Sequence, residues 1–292
     1  MSLAADPAPP PLEPLSGCQE NFIEDVYPPG TILPKDFAFV PGGWTPAGSW
    51  NFHLFYIRQN LLTKQYHGGL DFTEKNLGHA VSNDLHAWMV LDTAAIETRP
   101  GRFDSEHVWA PHVVRRGLTY YLFYTGVDAS GDQRIGLATS TDLVNWVQGD
   151  SVFEVPPDGW EDPHPSPGGP PLFGQTQLRD PFVIEDPETP GTWLMYYVTV
   201  ARDYTPGMVV GVARSNGDFA SWSNTFPLWA TLHRWPTATV GRVESPHVFP
   251  RNGSWWLFYT ANGDTVYGVS NPTSPTDTVT ANWSQAQRLR AL

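Results

Sequence analysis

The chain has 292 residues and a formal net charge of −13, from 17 basic and 30 acidic side chains. This charge argues against a nucleic-acid partner, and the lack of any run of about 18 apolar residues argues against a membrane-spanning helix. Its single cysteine, Cys18, excludes an intramolecular disulfide. Aromatic residues make up 13% and charged residues only 16%, with 26 Gly and 29 Pro. This composition predicts an almost entirely β protein of short strands and tight turns.

Residues 1–30 are predicted to be a Pro-rich tail or linker outside the folded domain. The segment SLAADPAPPPLEPL (2–15) has too few apolar side chains to pack a core. It shows no basic region followed by an apolar one, so no export signal is visible. Pro-rich stretches are nevertheless common just after a removed signal. The localisation therefore stays unknown, with a slight preference for a secreted or periplasmic protein.

Residues 31–292 are predicted to form a single domain, because one pattern recurs there four times. Each repeat has an apolar first strand, an aromatic second strand, a third strand of small residues, and a turn followed by Trp. The second strands read HLFYIRQN (53–60), YLFYTGVD (121–128), LMYYVTVA (194–201) and WLFYTANG (256–263). The turns read SNDLHAW (82–88), STDLVNW (140–146) and SNGDFASW (215–222), with Trp283 in the fourth repeat.

A repeating unit of four strands that cannot bury both faces alone is typical of a β-propeller blade. The Trp is expected to lie between neighbouring blades, and the small residues in a strand crowded near the axis. The alternative is a β-sandwich with chance internal similarity. Four repeats are visible, and the residues leave open four blades, a shortened chain, or a fifth blade built partly from residues 16–35.

The first strands of the repeats carry three carboxylates at matching positions. The positions on which the four strands align are Phe37, Pro111, Pro181 and Pro246. Asp36 and Asp180 stand one residue before the aligned position, and Glu244 stands two before it. Because first strands line the channel of a propeller, the three side chains are expected to face one pocket. Repulsion and burial raise the pKa of such a carboxyl, which suits the acid and base of glycoside hydrolysis.

Four segments together resemble the five-bladed β-propeller glycosidases of glycoside hydrolase families 43, 32, 62 and 68. These segments are KDF (35–37), HVWAPHV (107–113), LRDPFV (178–183) and VESPHVF (243–249). The families include arabinanases, arabinofuranosidases, xylosidases, invertases and levansucrases. The resemblance implies an all-β propeller, most simply with five blades. It also implies an enzyme that hydrolyses an oligo- or polysaccharide of the arabinose, xylose or fructose type.

The resemblance also implies roles for four residues. Asp36 matches the nucleophile of the fructosidases and the general base of family 43. Asp180 matches the Asp that stabilises the transition state, orients the sugar and tunes the pKa of the acid. Glu244 matches the general acid, and Arg179 matches an Arg that binds sugar hydroxyls.

The sequence departs from the family pattern in three places. Phe37 replaces the usual Pro after the first Asp, and ESP (244–246) stands where EC or EGP is usual. The fifth-blade motif, often a His near a bound calcium, has no visible counterpart. No cofactor is therefore expected to be required, although a structural Ca²⁺ in the central channel is kept as an option.

Aromatic and His side chains supply further candidates for substrate binding. Trp109, Trp44 and Trp50 are candidates for stacking on a sugar ring, although most propeller Trp residues pack between blades. His112 and His247 share one repeat position. They face the channel, or they are satisfied by hydrogen bonds between blades.

Two other groups contain metal-ligating residue types. They are Glu106, His107 and His112, and Glu161, Asp162 and His164. Their spacing fits no standard zinc set, so no metal site is predicted. The second group belongs to the Pro/Gly-rich stretch 159–175, which is predicted to be a loop at the rim of the pocket.

Two alternatives to a glycosidase remain at this stage. A glycoside phosphorylase would use phosphate instead of water and would need a cationic pocket. A non-catalytic propeller that binds sugar would keep the pocket without turnover. A carbohydrate is the expected partner in every case, and the oligomeric state is not predicted.

Overall fold

The structure, a computed structural model, describes residues 32–41, 50–60, 74–91, 93–162, 176–202, 208–228, 243–261, 265–278, 282–284 and 287–288. The regular elements of these residues are β-strands, as the composition predicts. No helix among them has the length and hydropathy to cross a membrane. Residues 1–31 lie outside the described part, so the boundary between tail and domain stays a prediction.

The strands form four antiparallel sheets, each running in chain order from an inner to an outer strand. The first sheet contains β1 (Ile32–Pro41), β2 (Phe52–Asn60), β3 (Asn76–Ser82) and β4 (Trp88–Val90), with β5 (Ile96–Glu97) also paired to β3. The second contains β6 (His107–Arg116), β7 (Thr119–Val127), β8 (Gln133–Ser140) and β9 (Val147–Phe153). The third contains β10 (Leu178–Glu185), β11 (Trp193–Val200), β12 (Met208–Ser215) and β13 (Ser223–Pro227). The fourth contains β14 (Val243–Arg251), β15 (Ser254–Ala261), β16 (Thr265–Asn271) and β17 (Gln287–Arg288).

The sheets are the blades of a β-propeller. The inner strands of consecutive sheets contact one another, β1 with β6, β6 with β10, and β10 with β14. Each sheet begins at the first strand of one sequence repeat, so the repeats and the blades coincide. The described residues contain four blades rather than the predicted five, because the four sheets use all the described strands between residues 32 and 288. Residues 16–35 were considered as part of a fifth blade; residues 16–31 lie outside the described part, and residues 32–35 belong to β1.

The aromatic second strands pack successive blades together. Phe55, Phe123 and Tyr196 are fully buried, and each faces the next blade along the chain. Trp146 of the second blade meets Phe55 edge-on at 5.4 Å between ring centroids. Trp222 of the third blade meets Phe123 in the same way at 5.8 Å. The prediction that the repeated Trp lies between blades is therefore confirmed for the second and third blades.

The small residues of the third strands do not crowd the axis, which corrects the sequence prediction. In each blade the third strand lies two strands away from the channel. In the first three blades its glycine instead lies under a Tyr ring of the second strand; the pairs are Gly78 with Tyr56, Gly136 with Tyr124, and Gly211 with Tyr197. In the fourth blade Gly268 lies against the ring of Phe258. A Cβ at Gly211 would lie 2.5 Å from the Tyr197 ring, closer than carbon atoms approach. Glycine is required there for close packing within the blade.

The hydroxyl groups of two of these tyrosines bind buried carboxylates. The Tyr124 hydroxyl donates to Asp104 at 2.8 Å, and Arg99 pairs with the same carboxylate at 2.8 Å. The Tyr197 hydroxyl donates to Glu161 at 2.6 Å. Buried polar groups are stable only when paired in this way. Glu161, which the sequence offered as a metal-ligating residue type, therefore has a structural partner within the third blade.

Candidate active site

Each inner strand carries a β-bulge at the same place, and the bulge determines where the candidate residues lie. The register shifts fall between Lys35 and Phe37, Trp109 and His112, Arg179 and Phe182, and Glu244 and His247. One non-glycine residue in each bulge has a left-handed backbone; φ is 33° at Asp36, 45° at Ala110, 57° at Asp180 and 53° at Ser245. That conformation is unfavourable for residues with a Cβ, so its fourfold repetition is a built feature of the strands.

The first bulge is one residue shorter than the others. In the other three, the residue after the left-handed position is Pro, which has no N–H to give to the ladder and stays unpaired. Phe37 takes that place in β1 and pairs with Tyr56. The sequence departure at Phe37 thus has a local structural consequence, while Asp36 keeps the same backbone position as Asp180.

The bulges bring the three predicted carboxylates together at one end of the inner strands. Asp36 and Asp180 line a common cavity, and Glu244 directly precedes Ser245, which also lines it. Asp180 is 7% exposed, whereas Asp36 is exposed and the side chain of Glu244 is 33% exposed. A buried carboxyl therefore lies beside two that reach solvent.

Arg179 joins two of these carboxylates. Its Nη2 lies 3.2 Å from Oε1 of Glu244, and its Nε lies 4.0 Å from Oδ2 of Asp180. The Ser245 backbone N–H donates to the same Asp180 oxygen at 2.9 Å. Arg179 is itself 6% exposed, so the ion pair with Glu244 is largely shielded from water. The predicted contact of Arg179 with sugar hydroxyls is not tested by these distances.

The pKa of Asp180 is raised from its usual 3.8 to about 7, mainly because the carboxyl is buried. The positive charge of Arg179 and the hydrogen bond from Ser245 lower this pKa, and the negative charges of Asp36 and Glu244 raise it. Asp36 lines the same cavity as Asp180, so its negative charge adds to the effect of burial. One carboxyl of the cluster consequently retains a proton near neutral pH, which general acid catalysis requires.

The cavity runs along the propeller axis and has a volume of about 520 Å³. Beyond the carboxylates it is lined by Phe37, Phe39, His112, Phe182 and His247 among others. His112 is half-buried and its Nε2 lies 2.9 Å from the carbonyl oxygen of Val183 in the next blade, while desolvation lowers its pKa to about 4. The rings of His112 and His247 lie 4.4 and 4.3 Å from that of Phe182. Both His residues thus face the channel, and His112 also has the hydrogen bond between blades.

Neither of the two described Trp candidates lines the cavity. Trp109 occupies the register position of Arg179 and Glu244 in β6, but it is half-buried and stacks on His107 at 5.2 Å. Trp50 is half-buried just before β2, and neither Trp is part of the cavity lining. Trp44 lies outside the described residues. The structure therefore leaves stacking of Trp109 or Trp50 on a sugar as a prediction.

The structural Ca²⁺ considered for the channel stays a prediction. Calcium takes six to eight oxygen ligands, waters included, and among the residues that line the cavity Asp36, Asp180 and Ser245 carry side-chain oxygens. No group of three or more His, Cys, Asp or Glu residues in the described part is placed to hold a metal. Glu106, from one group considered for zinc, instead pairs with Lys75 at 3.0 Å.

Sequence reasoning missed the polar residues that hold the site. Gln177 and Gln133 bind Arg179, and the Thr125 hydroxyl accepts the Asp180 backbone N–H at 3.1 Å. The Thr260 hydroxyl donates to the backbone carbonyl of Glu244 at 3.2 Å. One signal was available, because Thr125 and Thr260 follow the Phe-Tyr pair in two of the aromatic second strands.

The chain is similar to two curated proteins of known activity. It is 29% identical over 229 residues to an insoluble β-fructofuranosidase, isoenzyme 7, of Oryza sativa, covering 73% of this chain and 32% of that protein. It is 22% identical over 219 residues to a 1,2-β-oligomannan phosphorylase of Thermoanaerobacter, covering 74% of this chain and 62% of that one. The chain thus spans about a third of the length of the fructofuranosidase.

A solved structure shares the fold. A family 43 β-xylosidase/α-arabinofuranosidase from a compost microbial metagenome superposes with a TM-score of 0.61 at 13% identity, covering 89% of this chain and 78% of that one. The model of the glycosyl hydrolases family 43 matches residues 66–291, which is most of the chain. This protein is therefore a member of glycosyl hydrolases family 43.

Proposed function

We propose that the protein is a glycoside hydrolase that cleaves an oligo- or polysaccharide of the arabinose, xylose or fructose type. In this proposal Glu244 protonates the leaving oxygen, and Asp36 attacks the anomeric carbon or activates a water molecule. Asp180 orients the sugar and keeps a proton within the cluster. The observation that carries the proposal is the convergence of three carboxyl groups at the bulges of three blades, with the Arg179 guanidinium between two of them, Asp180 and Glu244.

The exposure of the carboxyl groups supports this division of roles. A nucleophile or base and an acid must both reach the substrate, and Asp36 and Glu244 are the two that contact solvent. Asp180 is buried and holds its oxygens toward Arg179 and the Ser245 N–H. It is therefore suited to fixing neighbouring groups rather than to reacting directly.

The electrostatics of the cluster support acid catalysis at neutral pH. Full ionisation would place the negative charges of Asp36 and Glu244 beside that of Asp180, against the positive charge of Arg179. The pKa of about 7 at Asp180 means that one proton is retained there near neutrality. A protonated carboxyl beside an ionised carboxylate is the starting point of both retaining and inverting glycosidases.

The substrate class is proposed from the relatives. Two of them are named for furanosides or pentosides, a β-fructofuranosidase and a β-xylosidase/α-arabinofuranosidase. A cavity of about 520 Å³ has room for a sugar ring, and pockets for small molecules are commonly of this size. We therefore expect activity on arabinofuranosides, xylosides or fructosides.

The test compares substrates with good and poor leaving groups. Wild-type protein is assayed on 4-nitrophenyl α-L-arabinofuranoside and β-D-xylopyranoside, on sucrose, and on arabino- and xylo-oligosaccharides. Glu244→Gln should lower kcat by about 10³-fold on oligosaccharides and by less on nitrophenyl glycosides, because nitrophenolate leaves without protonation. Asp36→Asn should lower kcat on both kinds of substrate.

Matched control variants separate catalysis from general damage. Glu106→Gln removes a part-exposed carboxyl directly before β6, and Asp84→Asn removes one from an exposed turn. Both should keep wild-type turnover. Wild-type turnover in Glu244→Gln or Asp36→Asn would contradict the assigned roles. Sugar binding without product by the wild-type protein would instead favour a non-catalytic propeller.

A second candidate function is a glycoside phosphorylase, favoured by the similarity to the oligomannan phosphorylase. Such an enzyme must hold phosphate beside the sugar, which requires free cationic groups. Arg179 is already engaged by Glu244 and Gln177, so hydrolysis is the better-supported reaction. Phosphate-dependent release of a sugar 1-phosphate would reverse this preference.

A further inference from the structure

Two buried glutamines hold the guanidinium of Arg179 from the side opposite the carboxylates. Oε1 of Gln177 accepts a hydrogen bond from Nη1 at 2.7 Å, and Oε1 of Gln133 lies 3.5 Å from the same nitrogen. Gln133 also accepts the backbone N–H of Leu178 at 3.2 Å, which fixes it to β10. Gln177 and Gln133 are only 5% and 1% exposed, so water does not replace them easily.

The other side of the guanidinium is occupied as well. Its Nη2 contacts Oε1 of Glu244 and Sδ of Met208, both at 3.2 Å. Its Nε lies 4.0 Å from Asp180. The hydrogen bond to Glu244 is thus shorter than the ion-pair distance to Asp180, and the guanidinium stands between the two carboxyl groups.

Gln177 does not have the properties of a residue kept for packing alone. Its Nε2 is buried and has no hydrogen-bond partner among the described residues. A buried donor without a partner is unfavourable, and an apolar side chain of similar volume would avoid it. The polar contact that Gln177 does make is the short one to Arg179.

We propose that Gln177 is a positioning residue that holds the Arg179 guanidinium between Asp180 and Glu244, so that its charge is shared by both carboxyl groups. The proposal rests on the proposed function, because it assigns these groups to the catalytic site. It adds a residue of the same segment, two positions before Arg179, that acts through the arginine and not on the substrate.

The direction of the effect follows from the charges that face Asp180. These are Arg179 on its own strand, Asp36 on β1 and Glu244 on β14. Arg179 lowers the pKa of Asp180, and the two carboxylates raise it. Without the Gln177 oxygen the guanidinium is free to move toward Glu244, which is the closer and more exposed partner. The pKa of Asp180 should then rise further.

The test is a carboxyl titration by ¹³C NMR of protein labelled at aspartate, with the Asp180 signal assigned by its loss in Asp180→Asn. Gln177→Met removes the acceptor at similar volume, and Gln177→Asn keeps an amide that is too short to reach Nη1. Both should move the Asp180 midpoint upward by at least about 0.5 pH unit. The alkaline limb of kcat/KM on the substrate that the wild-type protein cleaves should move in the same direction, with KM little changed.

The matched control is Gln148→Met. Gln148 bonds to the backbone of Glu97 in the outer part of the first and second blades and does not contact Arg179. Its loss should leave the Asp180 midpoint in place. An unchanged or lowered midpoint in folded Gln177→Met overturns the proposal, and the midpoint of Gln177→Asn decides in the same way if the Met variant does not fold. Because the midpoint is measured without substrate, this result is independent of whether Glu244→Gln abolishes hydrolysis.

Discussion

Replacing Asp180 by Asn should make the protein more stable at alkaline pH while removing its activity. The buried carboxyl has a pKa near 7 in the folded protein, against 3.8 for an ordinary aspartate. The folded state therefore binds this proton more tightly than the unfolded state does. The stability that the protonated carboxyl provides is fully present below pH 3.8 and is lost as the pH rises through about 7.

The size of the effect follows from the same two values. Each factor of ten in proton affinity corresponds to roughly 1.4 kcal/mol. The change from 3.8 to about 7 thus corresponds to at most about 4 kcal/mol of unfolding free energy above pH 8. Asn avoids this loss because it is neutral at every pH, and its side-chain oxygen can still accept the Ser245 N–H.

The assay is urea unfolding of wild type and Asp180→Asn at several pH values between 4 and 8.5. The difference between the two proteins isolates the titration of Asp180 from the other groups. It should be small near pH 4 and should grow in favour of the Asn variant up to pH 8.5, with similar m-values. Activity of the variant should be lost over the whole range.

Asp84→Asn is the matched control. Asp84 is exposed, and hydrogen bonds from the backbone N–H groups of Ala87 and His86 lower its pKa. The contribution of Asp84 to the free energy of unfolding is lost only as the pH falls through that lowered pKa. The difference in stability between Asp84→Asn and the wild type should therefore show no trend between pH 5 and 8.5. A stability difference for Asp180→Asn that does not vary with pH would refute the reasoning, since it would mean that Asp180 is ionised throughout.

Two further predictions concern the blades. Gly211→Ala should destabilise the protein by at least about 2 kcal/mol, because the new Cβ meets the Tyr197 ring at 2.5 Å. Urea unfolding measures this difference, and wild-type stability of the variant would contradict the close packing of Gly211. His53 and His79 are buried with ring nitrogens 2.8 Å apart, and burial is the main cause that lowers their pKa values from 6.5 to about 4 and about 3. The contribution of the two neutral imidazoles to the free energy of unfolding should be full above pH 6.5 and lost progressively as the pH falls through about 4. The free energy of unfolding of His79→Gln should fall less steeply with decreasing pH than that of the wild type. An equally steep fall in the variant would contradict this prediction.

The fold was predictable because the repeats carry redundant information. The aromatic strand, the turn and the Trp recur in one order, and a chance agreement of all three over four segments is improbable. The role of the small residues was predicted wrongly. Their position along the repeat predicted a third strand, but only the structure shows that Gly78, Gly136 and Gly211 lie under Tyr rings of the neighbouring strand. The number of blades was also not readable, since a repeat count says nothing of how a ring is completed.

The three carboxylates of the site could be predicted from the sequence, whereas the bulges and glutamines that hold the site in place could not. Asp36, Asp180 and Glu244 were found because inner strands of a propeller converge, so register alone brings them together. The bulges that turn them were not foreseen, since a left-handed φ at Asp180 has no sequence marker beyond the Pro that follows. Gln177 and Gln133 were missed because neither occupies a repeated position and their importance comes from contacts across strands.

The repeated bulge explains how one backbone can hold unlike side chains in a common site. At the left-handed position the four blades present Asp36, Ala110, Asp180 and Ser245, and only two of these are acidic. Three of these four residues therefore contribute to the cluster. Asp36 and Asp180 contribute a carboxylate, and Ser245 contributes its backbone N–H. The blades supply nearly identical backbone geometry, and the chemistry is set by which side chain each one places there.

The residue directly before the left-handed position carries opposite charges in the third and fourth blades. There Trp109, Arg179 and Glu244 occupy equivalent places on β6, β10 and β14. A cation and an anion on adjacent blades meet directly, which is why Arg179 reaches Glu244 at 3.2 Å while staying 4.0 Å from the Asp180 on its own strand. The acidic cluster tolerates the burial of Asp180 because Arg179 on the same strand supplies a compensating positive charge, which lowers the pKa of the carboxyl, and Gln177 keeps that charge in place.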